Sequence, residues 1–249
     1  MSKNLKKSLI IFVCLIIINL LFLFLVKYVN VGKTGLEDQT VGLSAVNIKL
    51  RDLIGVSKFF NMFSTVIMII AIIIALAELG LGLYFLIKTK SIDEIPTPIY
   101  SLIPTFILTG FVYVFFNWFF VINTRPIYTT GNSSSSYPST HTLLTLVFLF
   151  TAVNVINFIF SYFKKLNDKK KARYICYGIL GLLSLLIIIT RLLSGQHWFT
   201  DIIGGVLMAG LLYQFYQIFN LLLREYRQKN NQEENKAPIE ESNVSDDTE

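Results

Sequence analysis

The sequence predicts an all-α, polytopic membrane protein built as a bundle of six transmembrane helices. Hydrophobic residues make up 53% of the 249 residues and charged residues only 15%, whereas soluble domains carry about 25% charged residues. Each of six apolar runs is near the ~20 residues that a helix needs to cross the hydrocarbon core. The runs are Leu9–Val26, Phe60–Ile87, Ile99–Ile122, Thr142–Phe163, Tyr174–Ile189 and Ile202–Leu223.

The first run follows Lys3, Lys6 and Lys7, as the core of a signal peptide would. It is long for such a core, and no small-residue cleavage pattern follows it. We therefore expect an anchor helix that remains in the protein.

Basic residues between the runs predict the orientation. With a cytoplasmic N-terminus, the inner segments hold 15 of the 22 basic residues, and the strongest block lies between 164 and 173. The loop Lys27–Phe59 opposes this orientation with five basic residues on the outer side. Six crossings then put both termini in the cytoplasm. Because the basic residues are spread over loops, they indicate no nucleic-acid partner.

The outer loop 27–59 contains Val41, Ala45, Ile48 and Ile54 at roughly helical spacing. This pattern favours an amphipathic helix at the membrane interface, and a solvated connecting loop is the alternative. Residues 1–228 are expected to form one six-helix domain. Residues 229–249 are acidic and lack aromatic side chains, so we expect a disordered cytoplasmic tail.

Glu78 is the one clear acid within an apolar run. An ion or proton relay is the functional interpretation, because acids inside a membrane are costly and often functional. The sequence places no cationic partner at a comparable depth in the membrane, so we favour a structural role for Glu78 near the inner leaflet.

Two polar segments between apolar runs carry the candidate chemistry. They are Thr190–Asp201 and Arg125–His141, and they contain both histidines of the chain. The first follows the fifth run and the second follows the third, so both lie on the same side of the membrane. We interpret the two segments as parts of one active site on the extracytoplasmic face.

His197 and Asp201 are four residues apart. If His197 begins the sixth helix, the two side chains share a face, and the carboxylate can hold one ring nitrogen while the other attacks as a nucleophile. Arg125 and Arg191 suit the oxygens of a phosphoryl group. His141 is then left as the general acid and later the general base.

Ser139 and the backbone amides of 139–141 precede the fourth apolar run. Such amides at a helix N-terminus are further donors to a phosphate. The serine run Ser133–Ser136 is most simply a flexible loop. Two histidines and one aspartate also allow a metal site, which the neighbouring arginines disfavour.

At these residues the sequence resembles the type 2 phosphatidic acid phosphatase superfamily of membrane lipid phosphatases. The resemblance rests on Arg125-Pro126, on Pro138-Ser139-Thr140-His141, and on Thr190-Arg191-x5-His197-x3-Asp201. It implies a phosphohistidine on His197, orientation by Asp201 and proton donation by His141. It also implies phosphate binding by Arg125, Arg191, Ser139 and Thr140, with no metal and no cofactor.

The sequence departs from the family pattern at three positions. Trp118 stands where the first motif has a lysine, Thr140 replaces a glycine and Thr190 replaces a serine. Because this lysine is absent, the alternative is a catalytically weak protein that binds lipid or acts as a scaffold. The related haloperoxidases share these motifs but are soluble, and the six apolar runs argue against them.

The expected function is hydrolysis of a lipid phosphate or diphosphate by a multi-pass protein of the cell membrane. We favour undecaprenyl diphosphate as substrate, because an outward-facing site suits a carrier lipid that has delivered its sugar. Phosphatidylglycerophosphate and phosphatidic acid are the alternatives.

Overall fold

The computed structural model describes residues 2–34, 40–126, 135–163, 166 and 169–234. Within this part of the chain, six helical segments are long and apolar enough to cross a membrane. Strand structure among the described residues is limited to one antiparallel pair of two-residue strands. The predicted all-α bundle of six transmembrane helices is confirmed.

The elements follow one another in a simple order. They are α1 (Lys3–Tyr28), β1 (Gly32–Lys33), β2 (Thr40–Val41), α2 (Ser44–Ile54), α3 (Lys58–Thr89), α4 (Thr97–Tyr100), α5 (Leu102–Val114), a π-helix (Phe115–Phe119), α6 (Thr140–Tyr162), α7 (Lys170–Ser194) and α8 (Phe199–Glu234). The third membrane span combines α4, α5 and the π-helix.

Several helices begin before their apolar runs. Helix α1 starts at Lys3 because the Ser2 hydroxyl accepts a hydrogen bond from the Leu5 amide at 3.2 Å. The Ser57 side chain caps α3 in the same way, through the Phe60 amide. Capping side chains satisfy amides that have no partner within the helix, so the polar first turn is stable although it is not hydrophobic.

Helix α6 lies at the centre of the bundle and packs against α3, α7 and α8. Leu143, Leu146, Val147 and Leu149 of α6 are almost completely buried. Helix α1 packs along α8, with most of its apolar side chains on the outside, as expected for a helix in contact with lipid. The first turn of α6 is therefore enclosed on several sides, and it carries His141.

Two glycines allow the close approaches that shape the end of the bundle at which His141 lies. Gly195 ends α7 with a φ of +63°, and a Cβ there would lie 2.2 Å from the carbonyl oxygen of Gly55. A Cβ on Gly204 of α8 would lie 2.3 Å from the ring of Tyr137. Because only glycine fits at these contacts, the start of α8 lies directly against the residues that precede α6.

Loop 27–59 contains the helix α2 at Ser44–Ile54, which agrees with the helical spacing of Ala45, Ile48 and Ile54. Its position at the membrane interface stays a prediction. Asn47 of α2 donates hydrogen bonds to the Gly42 carbonyl at 2.7 Å and the Thr200 hydroxyl at 2.9 Å. The Thr200 amide donates back to the Asn47 side chain at 3.2 Å. Helix α2 is thus attached to the first turn of α8.

The last helix is longer than the sequence indicates. Helix α8 continues to Glu234, past the predicted start of the tail at residue 229. Residues 235–249 of the predicted disordered tail lie outside the described residues.

Candidate active site

His197 lies in the turn between α7 and α8, and its side chain is buried. The condition considered from the sequence, that His197 begins the sixth helix, is not met, because α8 starts at Phe199. Asp201 lies in the first turn of α8 and is completely buried. The turn holds the imidazole beside the helix start instead of on a helix face.

Ser136 connects the two side chains. The Nδ1 atom of His197 lies 2.9 Å from the Ser136 carbonyl oxygen and 3.1 Å from the Ser136 hydroxyl. The same hydroxyl donates to Oδ2 of Asp201 at 2.6 Å. The distance between Nδ1 of His197 and Oδ2 of Asp201 is 3.8 Å, which is too long for a hydrogen bond. The carboxylate therefore orients the imidazole mainly through a serine.

Asp201 is itself held from three sides. Its Oδ2 atom also accepts a hydrogen bond from the Trp198 amide at 3.0 Å, and its Oδ1 atom accepts one from the Asn123 side chain at 2.8 Å. Its carbonyl oxygen accepts a hydrogen bond from the Ser139 amide at 2.9 Å. The carboxylate is fixed in one orientation before any substrate binds.

The other ring nitrogen of His197, Nε2, is buried and has no hydrogen-bond partner among the described residues. Burial lowers the pKa of His197 below its usual 6.5; contact with Asp201 opposes this, while the charges of Arg191 and Arg125 lower the pKa further. A neutral imidazole with its proton on Nδ1 has a free lone pair on Nε2. The geometry is that of an oriented nucleophile.

Arg191 is 1% exposed and lies at the end of α7. One guanidinium nitrogen, Nη1, donates to the Asn61 side chain at 2.8 Å and to the Ser64 hydroxyl at 3.2 Å. Its Nε atom is buried and has no partner among the described residues, and the same is true of Nε in Arg125. Both groups are donors that remain available to an anion.

The segment that carries Arg125 is attached to the same turn. The Trp198 indole donates to the Thr124 carbonyl at 2.7 Å, and Arg51 of α2 donates to the Pro126 carbonyl at 3.2 Å. These bonds hold residues 124–126 next to the turn that contains His197. The two arginines predicted from separate segments are thereby brought to one site.

His141 lies in the first turn of α6 and is partly buried. Its Nε2 atom is 3.5 Å from the Thr65 hydroxyl of α3, a long contact. The charges of Arg191, His197 and Arg125 all act on it. His141 therefore belongs to the same cluster as His197, with fewer side chains fixing its position.

The structure corrects one part of the prediction that Ser139 and the backbone amides of 139–141 are phosphate donors. Ser139 is completely buried, its amide is bonded to Asp201, and its hydroxyl accepts a hydrogen bond from Thr142 at 3.1 Å. That amide therefore joins α6 to α8 and is not free for a phosphate. Thr140, the first residue of α6, is partly buried beside it.

Sequence reasoning missed five residues of the site. The prediction of a flexible loop at Ser133–Ser136 is wrong for the two serines that the structure describes, since Ser135 and Ser136 are buried and hydrogen-bonded. The three α3 residues could have been noticed from the sequence, because polar residues spaced three and four apart at the start of the second apolar run share one helix face. The five residues are Asn61, Ser64, Thr65, Asn123 and Ser136.

Trp118 lies in the π-helix, and its side chain is 78% exposed. This position does not face the buried cluster around His197.

Among the described residues, no group of three or more His, Cys, Asp or Glu side chains has the arrangement of a metal site.

Comparison with known proteins decides the family. A sequence model of the PAP2 superfamily matches residues 97–223. The chain belongs to the PAP2 superfamily. The matched region contains all three motifs, from Arg125 to Asp201, so the PAP2 motifs coincide with the buried cluster.

A solved PAP2 structure has a similar fold. It is the crystal structure of the first transmembrane PAP2 type phosphatidylglycerolphosphate phosphatase from Bacillus subtilis, with a TM-score of 0.51 and 17% sequence identity. The similarity covers 88% of this chain and 96% of that one. No curated protein sequence gives a significant match.

Proposed function

We propose that this PAP2 protein is an integral membrane phosphatase that hydrolyses a lipid phosphate or diphosphate through a phosphohistidine on His197. One observation carries the proposal. Nε2 of His197 and the Nε atoms of Arg125 and Arg191 are buried without partners among the described residues, and the charges of both arginines act on His197. A phosphoryl group supplies an electrophilic phosphorus for Nε2 of His197 and hydrogen-bond-accepting oxygens for the two arginine Nε atoms.

In this scheme Nε2 of His197 attacks phosphorus, so an N–P bond forms while the bond from that phosphorus to the leaving oxygen breaks. The leaving oxygen belongs to the lipid in a monophosphate and to the remaining lipid-bound phosphate in a diphosphate. His141 gives a proton to the leaving oxygen, then removes one from the water that hydrolyses the N–P bond. Ser136 and Asp201 stabilise the positive charge that develops on the imidazole. The arginines bind and neutralise the phosphoryl group, with the Ser139 hydroxyl and Thr140 at the start of α6 as further donors, and the scheme uses no metal and no cofactor.

We place both termini in the cytoplasm and the active site on the extracytoplasmic face of the cell membrane. The excess of basic residues in the inner segments supports this orientation. Undecaprenyl diphosphate is the favoured substrate. Phosphatidylglycerophosphate, the substrate named for the Bacillus subtilis protein, and phosphatidic acid are the alternatives.

Phosphate release from the purified protein tests the activity. Short-chain phosphatidic acid, phosphatidylglycerophosphate and an isoprenyl diphosphate are compared in detergent with a chelator present. His197→Ala is the matched control, because it removes the nucleophile alone. We expect release by the wild type on at least one substrate, and the panel ranks the lipid classes.

A second candidate function is a lipid-binding or scaffold role with weak catalysis. The exposed Trp118 at the position of a family lysine favours it, since a cation of the usual phosphate site is missing. No turnover above the His197→Ala control on any lipid phosphate would support this role. Activity abolished by the chelator would instead support a metal-dependent reaction.

A further inference from the structure

A second polar feature lies in the other half of the bundle. Glu78 of α3 is 4% exposed and follows Thr65, the neighbour of His141, by thirteen residues along one helix. At 1.5 Å per residue this places the carboxyl group about 20 Å from the candidate active site. Any role of Glu78 is therefore separate from the chemistry at His197.

The carboxyl group is only half satisfied. Its Oε2 atom accepts a hydrogen bond from the Thr151 hydroxyl of α6 at 3.3 Å. Its Oε1 atom is buried and has no partner among the described residues. A buried polar atom without a partner costs about 1–3 kcal/mol, so a neutral hydrogen-bonding group that reaches Oε1 would offset part of this cost.

Glu78 also lines a cavity between α3 and α6 with a volume of about 180 Å³. Its seven other lining residues are all aliphatic, among them Ile74, Leu81, Val155 and Ile159. A cavity of about 150 Å³ with similar walls is large enough for benzene. Ala77 lines this cavity and is exposed on the outer surface of α3, so the cavity can be reached from the hydrocarbon of the bilayer.

The composition of the cavity selects the ligand. Aliphatic walls accept a hydrocarbon chain, and the single carboxyl group accommodates one small polar group. No lysine, arginine or histidine is among the lining residues that the structure describes, so a phosphate or carboxylate head has no counter-charge there. A neutral hydroxyl can donate to or accept from Oε1 without bringing a charge into the membrane.

We propose that this cavity binds a lipid alcohol, an apolar chain with a single neutral hydroxyl, whose hydroxyl is hydrogen-bonded to Glu78. The site is independent of the phosphatase activity.

Photo-crosslinking in lipid nanodiscs tests the site. The probe is a long-chain alcohol with a diazirine next to the hydroxyl end, and labelled peptides are identified by mass spectrometry. We expect labelling in residues 74–81 and 152–159 that an untagged alcohol competes away. Glu78→Leu should reduce it about tenfold, which corresponds to ~1.4 kcal/mol for the lost hydrogen bond. Glu78→Gln should retain most labelling, because an amide also donates and accepts.

A second variant keeps the test valid if Glu78→Leu does not fold. Ala77→Phe should fill the cavity from its exposed side while Glu78 stays in place, and Ile73→Phe is the control because Ile73 is exposed and lies outside the cavity. Labelling should fall in Ala77→Phe only. The proposal is overturned if the wild type is not labelled, if a diazirine alkane labels the same peptides in a Glu78-dependent way, or if a long-chain amine or fatty acid competes better than the alcohol.

Discussion

The two histidines of the site have very different surroundings. His197 is buried, and its Nδ1 atom contacts both the carbonyl and the hydroxyl of Ser136, which in turn bonds Asp201. His141 is partly buried and has one long contact, with Thr65. The ring of His197 is held by several contacts before substrate arrives, whereas the ring of His141 has this single long hydrogen-bond contact among the described residues.

This difference matches the two proposed roles. A nucleophile must point at phosphorus within a narrow angle, so a fixed ring is an advantage. A general acid meets first the leaving oxygen and then the water molecule that takes its place. The closer support of His197 therefore agrees with its proposed role as the nucleophile.

The largest expected effect is at His197. His197→Ala should abolish turnover of lipid phosphates and of a nitrophenyl phosphate, because it removes the proposed nucleophile, which both substrates need. The loss should exceed the ~10²–10⁴-fold that general acid catalysis contributes. Steady-state phosphate release measures it, with the thermal unfolding midpoint as the check that the variant is folded.

Removal of His141 should be less severe. His141→Ala should lower kcat on lipid phosphates by ~10²–10⁴-fold, and a nitrophenyl phosphate should partly restore it, because a good leaving group needs little protonation. Rates on both substrates are compared in the two histidine variants. Rescue of His197→Ala with His141→Ala still inactive would reverse the two roles.

The serine between His197 and Asp201 should have an intermediate effect. Ser136→Ala removes the hydroxyl that joins them, and a loss of ~1.5–3 kcal/mol corresponds to about 10–100-fold in kcat. Ser135→Ala is the control, since the Ser135 hydroxyl bonds the carbonyls of Phe116 and Tyr137 instead. An equal loss in both variants would mean that the serines only stabilise the loop.

The pH profile gives a finer test of the surroundings of His197. Burial lowers its pKa below 6.5, so the acid limb of the activity profile, where Nε2 becomes protonated, should lie below that value. Asp201→Asn should move this acid limb to lower pH, because Asp201 raises the pKa, and Arg191→Gln should move it to higher pH. Profiles of kcat/KM that shift in the opposite directions would contradict the assignment.

The smallest effect is expected at Trp118. Because its side chain is 78% exposed and lies away from the buried cluster, Trp118→Lys should change kcat/KM by no more than about twofold, ~0.4 kcal/mol. A large gain would show that this position reaches the phosphate and that the missing lysine limits the enzyme. Rates of the variant and the wild type on one lipid phosphate decide this.

The sequence predicted the membrane spans and the main site residues for physical reasons. Long apolar runs have no stable alternative to helices in a bilayer, and His197, Asp201 and Arg191 lie close together in sequence. Local spacing could not show that Ser136 lies between His197 and Asp201, because that contact joins residues 61 positions apart. Nor could it show Asn61 and Ser64 beside Arg191, since helix α3 brings them there from a distant part of the chain.

The start of α8 illustrates the same limit. Four-residue spacing predicts a shared helix face for His197 and Asp201, but the helix begins two residues after His197. The Trp198 amide is bonded to the Asp201 carboxylate, which caps the helix at that point and leaves His197 outside it. Spacing alone does not reveal which residue caps a helix.

Trapping the intermediate tests the central proposal most directly. The wild type is mixed with a lipid phosphate labelled with ³²P, quenched in base within one turnover, digested and mapped. A phosphohistidine is stable in base and labile in acid, so we expect label on the peptide containing His197 and none in His197→Ala. His141→Ala should still be labelled when the substrate has a good leaving group. Label on His141, or turnover by the wild type with no label on His197, would contradict the proposed nucleophile.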